Sequence, residues 1–256
     1  MMIDTHSHIL PGLDDGAGDT AEAMAFVREA VSQGVTVIYA TPHSCDGVYN
    51  CEKNVICRAW HQLSEDVRKE NLDIRIMPGS EIRLTHDLLD RLDAGRLLTL
   101  GDGGKFLLLE LPSMFIAAGL VRIIHQLHER GVTPIIAHAE RNPMLVAQPA
   151  LALDLNSAGA VLQVTAGSLT GDYGRIIFKA AKQMVETGRV FCLGSDIHPN
   201  RKYRMKAAAK TLEKWIGKKE THKLLWENLE QIGPTTTACN CLPDQPEKKG
   251  FKNFRG

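Results

Sequence analysis

The sequence feature that most constrains the fold is a repeated unit, in which an amphipathic helical segment ends at a glycine that leads directly into a short apolar segment. Glycine suits the position after the last helical turn, because it adopts a left-handed backbone conformation without steric cost. Repeated helix-to-strand units of this kind favour parallel strands connected by helices. The predicted helices that end in this way are Thr20–Gln33 before Gly34, Leu120–Arg130 before Gly131 and Ile176–Thr187 before Gly188.

Seven apolar segments have the length and the β-branched content of strands that are buried on both faces. They are Ile3–Ile9, Val35–Thr41, Ile74–Met77, Phe106–Leu111, Thr133–Ala137, Val161–Thr165 and Val190–Leu193. Seven such strands in a chain of 256 residues predict an α/β fold, which is either a (β/α)7 TIM-like barrel or an open doubly wound sheet with the same local pattern. Two further helices, at about Tyr203–Ile216 and Lys219–Ile232, are expected to flank the strands.

The organisation and charge of the chain narrow its class. We expect one domain over residues 1–233 and a flexible tail over residues 234–256, where Pro, Lys, Asn and Gly are frequent. Lys plus Arg and Asp plus Glu both number 30, so the charge balance does not call for nucleic acid or an anionic membrane as a partner. The sequence shows neither a secretory signal nor the roughly 20 apolar residues that a spanning helix needs, and we therefore expect a cytoplasmic protein.

The six cysteines are expected to be reduced thiols in that compartment. Cys45, Cys51 and Cys57 are evenly spaced but lack the paired C-x-x-C clusters of a structural zinc site. No cysteine is followed six positions later by an arginine, so the phosphate loop of cysteine-dependent phosphatases is absent from the sequence.

Residues that can bind a metal ion stand at or near the C-terminal end of nearly every predicted strand. His6 and His8 alternate along the first strand, which sends both imidazoles to the same face. Glu110 lies among apolar neighbours, where a carboxylate is costly unless it is paired or bound to a metal. The C-terminal strand ends of βα barrels carry their active sites. The remaining candidates are Asp15 or its neighbour Asp14, His43, Glu81, His138, Asp196 and His198.

Nine ligands exceed what one ion uses, since catalytic zinc takes about three protein ligands and a water. We therefore predict two or three ions, an arrangement that suits phosphoryl transfer because it activates water and neutralises phosphate charge. Arg141 and Arg201 lie just beyond two of the ligand segments, and a guanidinium can hold phosphate through two parallel hydrogen bonds.

At these residues the sequence resembles the polymerase-and-histidinol-phosphatase (PHP) family of metal-dependent phosphoesterases. Within that family, Met2 to about Ile232 resembles the bacterial tyrosine phosphatases of capsule and exopolysaccharide operons, whereas Ser44–Arg58, with its three cysteines, departs from that branch. The resemblance rests on Asp4-Thr5-His6-Ser7-His8, Leu13-Asp14-Asp15-Gly16, Thr41-Pro42-His43, Gly79-Ser80-Glu81, Leu109-Glu110, Ala137-His138-Ala139-Glu140-Arg141 and Ser195-Asp196-Ile197-His198.

The resemblance implies a distorted seven-stranded barrel with a trinuclear site, in which manganese is a frequent activating metal and iron, cobalt or zinc can take similar positions. It implies that Glu81 bridges two of the ions and that Arg141 and Arg201 contact phosphate. The implied ligand sets are His6, His8, Glu81 and Asp196 for the first ion, Glu81, Glu110 and His138 for the second, and Asp15, His43 and His198 for the third.

The implied activity is hydrolysis of phosphotyrosine on the tail of a bacterial tyrosine kinase that regulates capsular or exopolysaccharide synthesis. The alternatives are a small-molecule phosphatase of the histidinol-phosphatase type, an amidohydrolase, or a non-catalytic metal-binding module. The pair Asp196-x-His198 and the lack of a lysine inside any predicted strand favour a phosphoesterase over an amidohydrolase.

Overall fold

The computed structural model describes residues 1–44, 47–49, 51–112 and 119–232. Within these residues all seven predicted strands are present, with ends within two residues of those predicted. Every strand pair is parallel, so the predicted α/β class is confirmed. Two short strands, β3 and β5, were not predicted. The strands are β1 Met2–Ser7, β2 Val35–Ala40, β3 His43–Ser44, β4 Arg75–Pro78, β5 Glu81–Arg83, β6 Phe106–Glu110, β7 Thr133–Ile136, β8 Val161–Thr165 and β9 Val190–Gly194.

The strands pair in the orders β1-β2-β4 and β3-β5-β6-β7-β8-β9. The break between β2 and β3 contains Pro42, which has no amide hydrogen to donate to a sheet. The Glu81 amide nevertheless donates to the Pro42 carbonyl at 3.0 Å, so the two strand positions stay side by side across the break. Counting each interrupted strand once, β2 with β3 and β4 with β5, gives the seven positions that the sequence predicts.

The first and the last strand meet along a narrow seam. Ser7 and Ile197 form a parallel bridge, the His8 amide donates to the Ile197 carbonyl at 3.3 Å, and the Asp196 amide donates to the His6 carbonyl at 2.8 Å. On the same side, Thr5 Oγ1 donates to the Leu193 carbonyl at 2.9 Å. The seam therefore places the histidines after β1 beside the segment that follows β9.

The predicted helices are present with ends within about two residues of those expected. Asp19 caps α1, because its carboxylate accepts a hydrogen bond from the Glu22 amide at 2.9 Å. Gly217, with φ +78°, separates the last two predicted helices as a kink within α9, and a π-helical turn at Lys223–Glu227 follows. The helices are α1 Thr20–Ser32, α2 Lys53–Lys69, α3 Leu88–Asp93, α4 Leu120–Glu129, α5 Pro143–Ala147, α6 Pro149–Ser157, α7 Ala166–Thr170, α8 Arg175–Glu186, α9 Met205–His222 and α10 Asn228–Glu230. None of the described helices is both long enough and apolar enough to cross a bilayer.

The apolar side chains form two clusters, which lie on opposite faces of the strands. In β6, Leu107 and Leu109 belong to the larger cluster, which also takes in the buried helix residues, whereas Phe106 and Leu108 belong to the smaller one. Successive side chains of a strand point to opposite faces, so Glu110 lies on the same face as Leu108 and the smaller cluster. The strand that carries Glu110 is thus apolar up to its last residue, where the carboxylate begins the functional site.

The expectation of reduced thiols holds for only part of the chain. Cys51 and Cys192 form no disulfide, but Cys57 is disulfide-bonded, so the expectation is wrong for Cys57. That expectation was based on the cellular compartment, which says nothing about which sulfur atoms the fold brings together. Cys45 and the predicted tail at 234–256 lie outside the described residues, and the tail stays a prediction.

Candidate metal centre

The structure brings all nine predicted ligand residues together at the C-terminal ends of the strands. Each lies on a strand end or in the loop that directly follows one, and each has an imidazole nitrogen or a carboxylate oxygen near those of the others. The nine are His6, His8, Asp15, His43, Glu81, Glu110, His138, Asp196 and His198.

Two buried histidines form the middle of the cluster. The Nε2 atoms of His6 and His8 are 3.0 Å apart, and Glu81 Oε2 lies 3.2 and 3.4 Å from them. Asp196 Oδ1 is 3.6 Å from His6 Nε2 and 3.5 Å from His8 Nε2. Two nitrogens and two carboxylate oxygens therefore surround one point, as the ligands of a transition metal do.

The outer nitrogen of each central histidine is held by an acceptor. His6 Nδ1 lies 2.9 Å from Gln163 Oε1, and His8 Nδ1 lies 2.7 Å from Asp14 Oδ2. An acceptor at Nδ1 puts the hydrogen on that nitrogen and, in the neutral ring, leaves the Nε2 lone pair facing the cluster. Sequence analysis missed Gln163; its signal was an amide inside the apolar strand β8, where it donates in turn to Thr5 Oγ1 at 2.7 Å.

A second group surrounds the other side of Glu81. His138 Nε2 is 2.8 Å from Glu81 Oε1, and His43 Nδ1 is 3.1 Å from Glu81 Oε2. Glu110 comes within 4.8 Å of both His43 and Glu81. Among the described residues, neither Glu81 Oε2 nor Glu110 Oε2 has a hydrogen-bond partner, although both atoms are buried. Buried carboxylate oxygens without a donor are costly, and a bound cation would satisfy them.

A third group lies at the open edge of the site. Asp15 Oδ1 is 3.1 Å from His198 Nε2 and 3.6 Å from His43 Nε2, and its side chain is half exposed. Its neighbour Asp14 is buried and accepts from the His43 and Gly16 amides, each at 2.9 Å, in addition to His8. The two adjacent carboxylates therefore differ in position. Asp15 faces the imidazoles that line the opening, whereas Asp14 binds the Nδ1 atom of His8, on the side of the ring away from the cluster.

The loop that carries these carboxylates packs closely against β1. A Cβ atom on Gly16 would lie 2.1 Å from the His8 carbonyl oxygen and 2.5 Å from His8 Cβ, so only glycine fits there. Gly194 is restricted in the same way, because its Cβ would lie 2.5 Å from His6 Cβ. The close approach of this loop and of the end of β9 to β1 brings Asp15 near His8 and Asp196 near both His6 and His8.

Both predicted arginines contact the same carboxylate. Arg141 Nη1 donates to Asp196 Oδ2 at 2.6 Å, and Arg201 Nη1 donates to that oxygen at 2.7 Å and to the Asp196 carbonyl at 3.0 Å. Asp196 thus divides its oxygens: Oδ1 faces the imidazoles and Oδ2 faces the guanidinium groups. The site therefore has a cationic side next to the ligand cluster, as the sequence predicts.

Comparisons with known proteins show which family has this sequence and fold. The model of the family described as capsular polysaccharide synthesis, CpsB/CapC, matches residues 2–232. The chain belongs to the CpsB/CapC family.

Two curated relatives and one solved structure place the chain within this family. The tyrosine-protein phosphatase YwqE of Bacillus subtilis is 36% identical over 250 residues, 97% of each chain. The tyrosine-protein phosphatase CpsB of Streptococcus pneumoniae is 30% identical over 242 residues, 90% of this chain and 98% of the relative. A chain from the crystal structures of YwqE and CpsB, described as metal-dependent tyrosine phosphatases, superimposes with a TM-score of 0.87 at 34% identity, covering 92% of this chain and 96% of that one.

The electrostatics of this CpsB/CapC cluster favour ionisation of Glu81 and Asp196 and oppose it at Glu110. Burial alone would raise the pKa of Glu81, but His6 and other cationic neighbours outweigh burial and lower it. Burial would likewise raise the pKa of Asp196, but Arg141 and the nearby histidines outweigh burial and lower it. Burial and the nearby Glu81 raise the pKa of Glu110. The concentration of negative charge therefore calls for compensating positive charge inside the cluster.

The histidines respond to that charge in opposite ways. Burial lowers the pKa of His8, yet Asp14 and Glu81 together raise it to about 10. Burial and the neighbouring His8 lower the pKa of His198 to about 4. A proton on His8 supplies positive charge at the centre of the cluster. A metal ion at the same point would replace that proton and leave the rings of His8 and His198 neutral.

Proposed function

We propose that this chain is a metal-dependent protein-tyrosine phosphatase, with its catalytic site in one domain over residues 1–233. The observation that carries the proposal is the convergence of nine metal-capable side chains beside two arginines. Two of the nine, Glu81 and Glu110, have a buried carboxylate oxygen that accepts no hydrogen bond from the described residues. The names of the relatives support the activity, since both are tyrosine-protein phosphatases.

We assign the ligands to two or three divalent transition-metal ions, with Glu81 as the bridge between the first two. The proposed sets are His6, His8, Glu81 and Asp196; Glu81, Glu110 and His138; and Asp15, His43 and His198. The distances support these sets and place His43 and His8 close enough to share in the second and third respectively. Manganese is our first choice of metal, and iron, cobalt and zinc suit the same mixture of nitrogen and oxygen ligands.

When bound, the ions supply Lewis-acid charge to the phosphate oxygens and make water a stronger nucleophile. The protein's own groups then orient the reaction. Arg141 and Arg201 bind the phosphate, while Asp196 holds the two guanidinium groups at fixed positions beside the ligands. Gln163 and Asp14 keep the lone pairs of His6 and His8 turned to the cluster. The tyrosine leaving group has a pKa near 10, so it departs more readily than the alkoxide of serine.

The physiological substrate that we propose is the phosphotyrosine tail of a bacterial tyrosine kinase that regulates capsular or exopolysaccharide synthesis. The family description and the names of the relatives support this class of partner. A cytoplasmic location, which the sequence predicts, would give the phosphatase access to such a tail.

The deciding experiment compares substrates on one metal-reconstituted preparation. A phosphotyrosine peptide, the matching phosphoserine peptide and histidinol phosphate are assayed side by side, and the metal content is measured by elemental analysis. We expect two or three ions per chain and a preference for the phosphotyrosine peptide. Glu81→Gln should lose metal and turnover, whereas Glu70→Gln, on an exposed ion pair with Arg28, should keep both. A preference for histidinol phosphate, or no bound metal after reconstitution, would contradict the proposal.

The same preparation tests the arginines. An arginine-to-phosphate bond contributes on the order of 1.5–3 kcal/mol, so Arg141→Ala or Arg201→Ala should lower kcat/KM by about tenfold to a hundredfold. The number of ions bound at saturating metal should not change, because both arginines contact Asp196 but neither side chain is itself a proposed ligand. Full activity in both variants would show that the phosphate is bound elsewhere.

A further inference from the structure

The mechanism assigns no role to Tyr173, an aromatic residue at the site. Tyr173 lies in the turn Gly171–Gly174, between α7 and α8, and its ring lies under the Arg141 guanidinium, with Arg141 Cζ 5.2 Å from the ring centroid. A cation within about 6 Å of an aromatic face is attracted by the negative face of the ring. We propose that Tyr173 is a positioning residue, which fixes the plane of the Arg141 guanidinium; the inference rests on the proposed phosphate-binding role of that arginine.

The ring of Tyr173 has little freedom to move away. A Cβ atom on Gly167 would lie 2.9 Å from Tyr173 Cε2 and 3.5 Å from its Cζ, so the ring rests directly against the backbone of α7. The next residue back, Asp172, is bound by Arg204 through two contacts, at 2.8 and 3.2 Å. The Asp172 amide also donates to the Gly167 carbonyl at 3.0 Å. On the other side, the Gly174 amide donates to the Gly171 carbonyl at 3.0 Å, so the turn is fixed on both sides of the tyrosine.

Arg141 is held at one guanidinium nitrogen and at its backbone. Its Nη1 donates to Asp196 Oδ2 at 2.6 Å, and its backbone amide donates to the His138 carbonyl at 2.8 Å. One hydrogen bond fixes a point of a planar group but not its rotation, and a guanidinium carries five donors in one plane. Contact with the Tyr173 ring restricts that rotation, and so determines where the remaining donors of Arg141 point.

Arg201 provides a comparison within the same site. It binds the same oxygen of Asp196 at 2.7 Å, but among the described residues no aromatic ring lies under its guanidinium. It is also more exposed than Arg141, 36% against 20% of the side chain. Arg141 is thus the arginine whose direction is fixed before phosphate arrives, and Tyr173 is the residue that fixes it.

The test is a set of double mutants on the full-length, metal-loaded protein. The measurements are the inhibition constant of inorganic phosphate, kcat and KM on a phosphotyrosine peptide, and metal content. Tyr173→Leu should weaken phosphate binding by roughly three- to thirtyfold, the range of one cation–π contact, and Tyr173→Phe should restore most of it because the ring face remains. Metal content should match the wild type in both.

The decisive comparison is between backgrounds. In Arg141→Ala, adding Tyr173→Leu should cause no further loss of phosphate affinity, because the group that it positions is gone. In Arg201→Ala, adding Tyr173→Leu should weaken phosphate affinity by the same factor as it does in the wild-type background. Equal losses in all backgrounds would overturn the inference, since they describe a residue that does not act through Arg141. Equal losses from Tyr173→Phe and Tyr173→Leu would overturn it as well, because the ring face would then not be what fixes the guanidinium.

A second variant covers a failure of Tyr173→Leu to fold. Gly167→Ala displaces the ring without deleting it, and should raise the phosphate inhibition constant in the same background-dependent way. Unchanged phosphate affinity in Gly167→Ala would contradict the inference. Failure of the proposed function would give a different result, in which the wild-type protein does not hydrolyse the peptide. In that case calorimetric titration with inorganic phosphate still tests the coupling between Tyr173 and Arg141. Wild-type protein that binds no phosphate would overturn the inference about Tyr173.

Discussion

Replacing Asp14 by asparagine tests whether a residue outside the proposed ligand set controls metal binding. The Asp14 carboxylate accepts three hydrogen bonds: Oδ2 from His8 Nδ1 and the His43 amide, and Oδ1 from the Gly16 amide. Asparagine keeps the shape but has one oxygen in place of two. If that oxygen takes the position of Oδ2, the new NH2 group faces the Gly16 amide, and two donors oppose each other.

The size of the effect follows from these contacts. One unpaired buried donor costs about 1–3 kcal/mol in the free energy of unfolding. The lost negative charge also weakens the hold on His8, and changes in such supporting carboxylates lower metal affinity by about tenfold to a hundredfold, or about 1.4–2.8 kcal/mol. We therefore expect Asp14→Asn to bind the same number of ions as the wild type, with a dissociation constant about tenfold to a hundredfold higher.

The assay is calorimetric titration of chelator-treated protein with Mn²⁺, together with urea unfolding in the absence of metal. Asp19→Asn is the matched control, since Asp19 is exposed near the same loop and caps α1 through the Glu22 amide. Asparagine caps helices about as well as aspartate, so the control should match the wild type in affinity and stability.

Two results would refute the reasoning. Wild-type affinity in Asp14→Asn would mean that Asp14 does not orient His8. Loss of one whole ion in Asp14→Asn, with no loss in Asp15→Asn, would make Asp14 the ligand and Asp15 the bystander. The stability measurement without metal separates either result from general damage to the loop.

Two further predictions concern other buried groups. Glu110→Gln should lose one ion and at least about a hundredfold in kcat/KM with an unchanged circular dichroism spectrum, and wild-type metal content would show that its carboxylate is not a ligand. Burial raises the pKa of the Cys192 thiol from 9.0 to about 12, so the native state keeps a proton that the unfolded chain releases. The free energy of unfolding should therefore fall as pH rises from about 9 to 12, by up to about 1.4 kcal/mol per pH unit from this group. The urea midpoints at pH 8 and pH 10 should differ less in Cys192→Ala than in the wild type. An equal difference in the two proteins would show that the thiol does not contribute.

The strands and the site were largely predictable because both rest on local patterns. A strand buried on both faces is apolar throughout, so a carboxylate such as Glu110 at its end is conspicuous. The two short strands were missed because Pro42 and the Gly79-Ser80 pair read as the ends of strands rather than as interruptions. Helix α2 was missed because its buried residues are few and lie among charged ones.

The supporting contacts could not be predicted from one sequence. Gln163 and His6 are separated by 157 positions, and nothing local to either residue names the other. The same holds for Tyr173 and Arg141, whose contact depends on how a turn after β8 packs against the segment after β7. Ligands can be recognised by type, whereas the residues that orient them are recognised only once the fold brings the pairs together.

The seam between β1 and β9 has a consequence for how the protein is made. Thr5 and its partner Leu193 are 188 positions apart, so at about 5–20 residues per second the ribosome needs roughly 10–40 s between the two. During that interval one edge of β1 has no neighbour, and an open strand edge invites pairing with other chains. The proposed ligands lie on both sides of this seam: His6 and His8 belong to the β1 side, and Asp196 follows β9. Bound ions would therefore hold the two sides of the seam together, and we expect removal of metal by a chelator to lower the urea midpoint of unfolding.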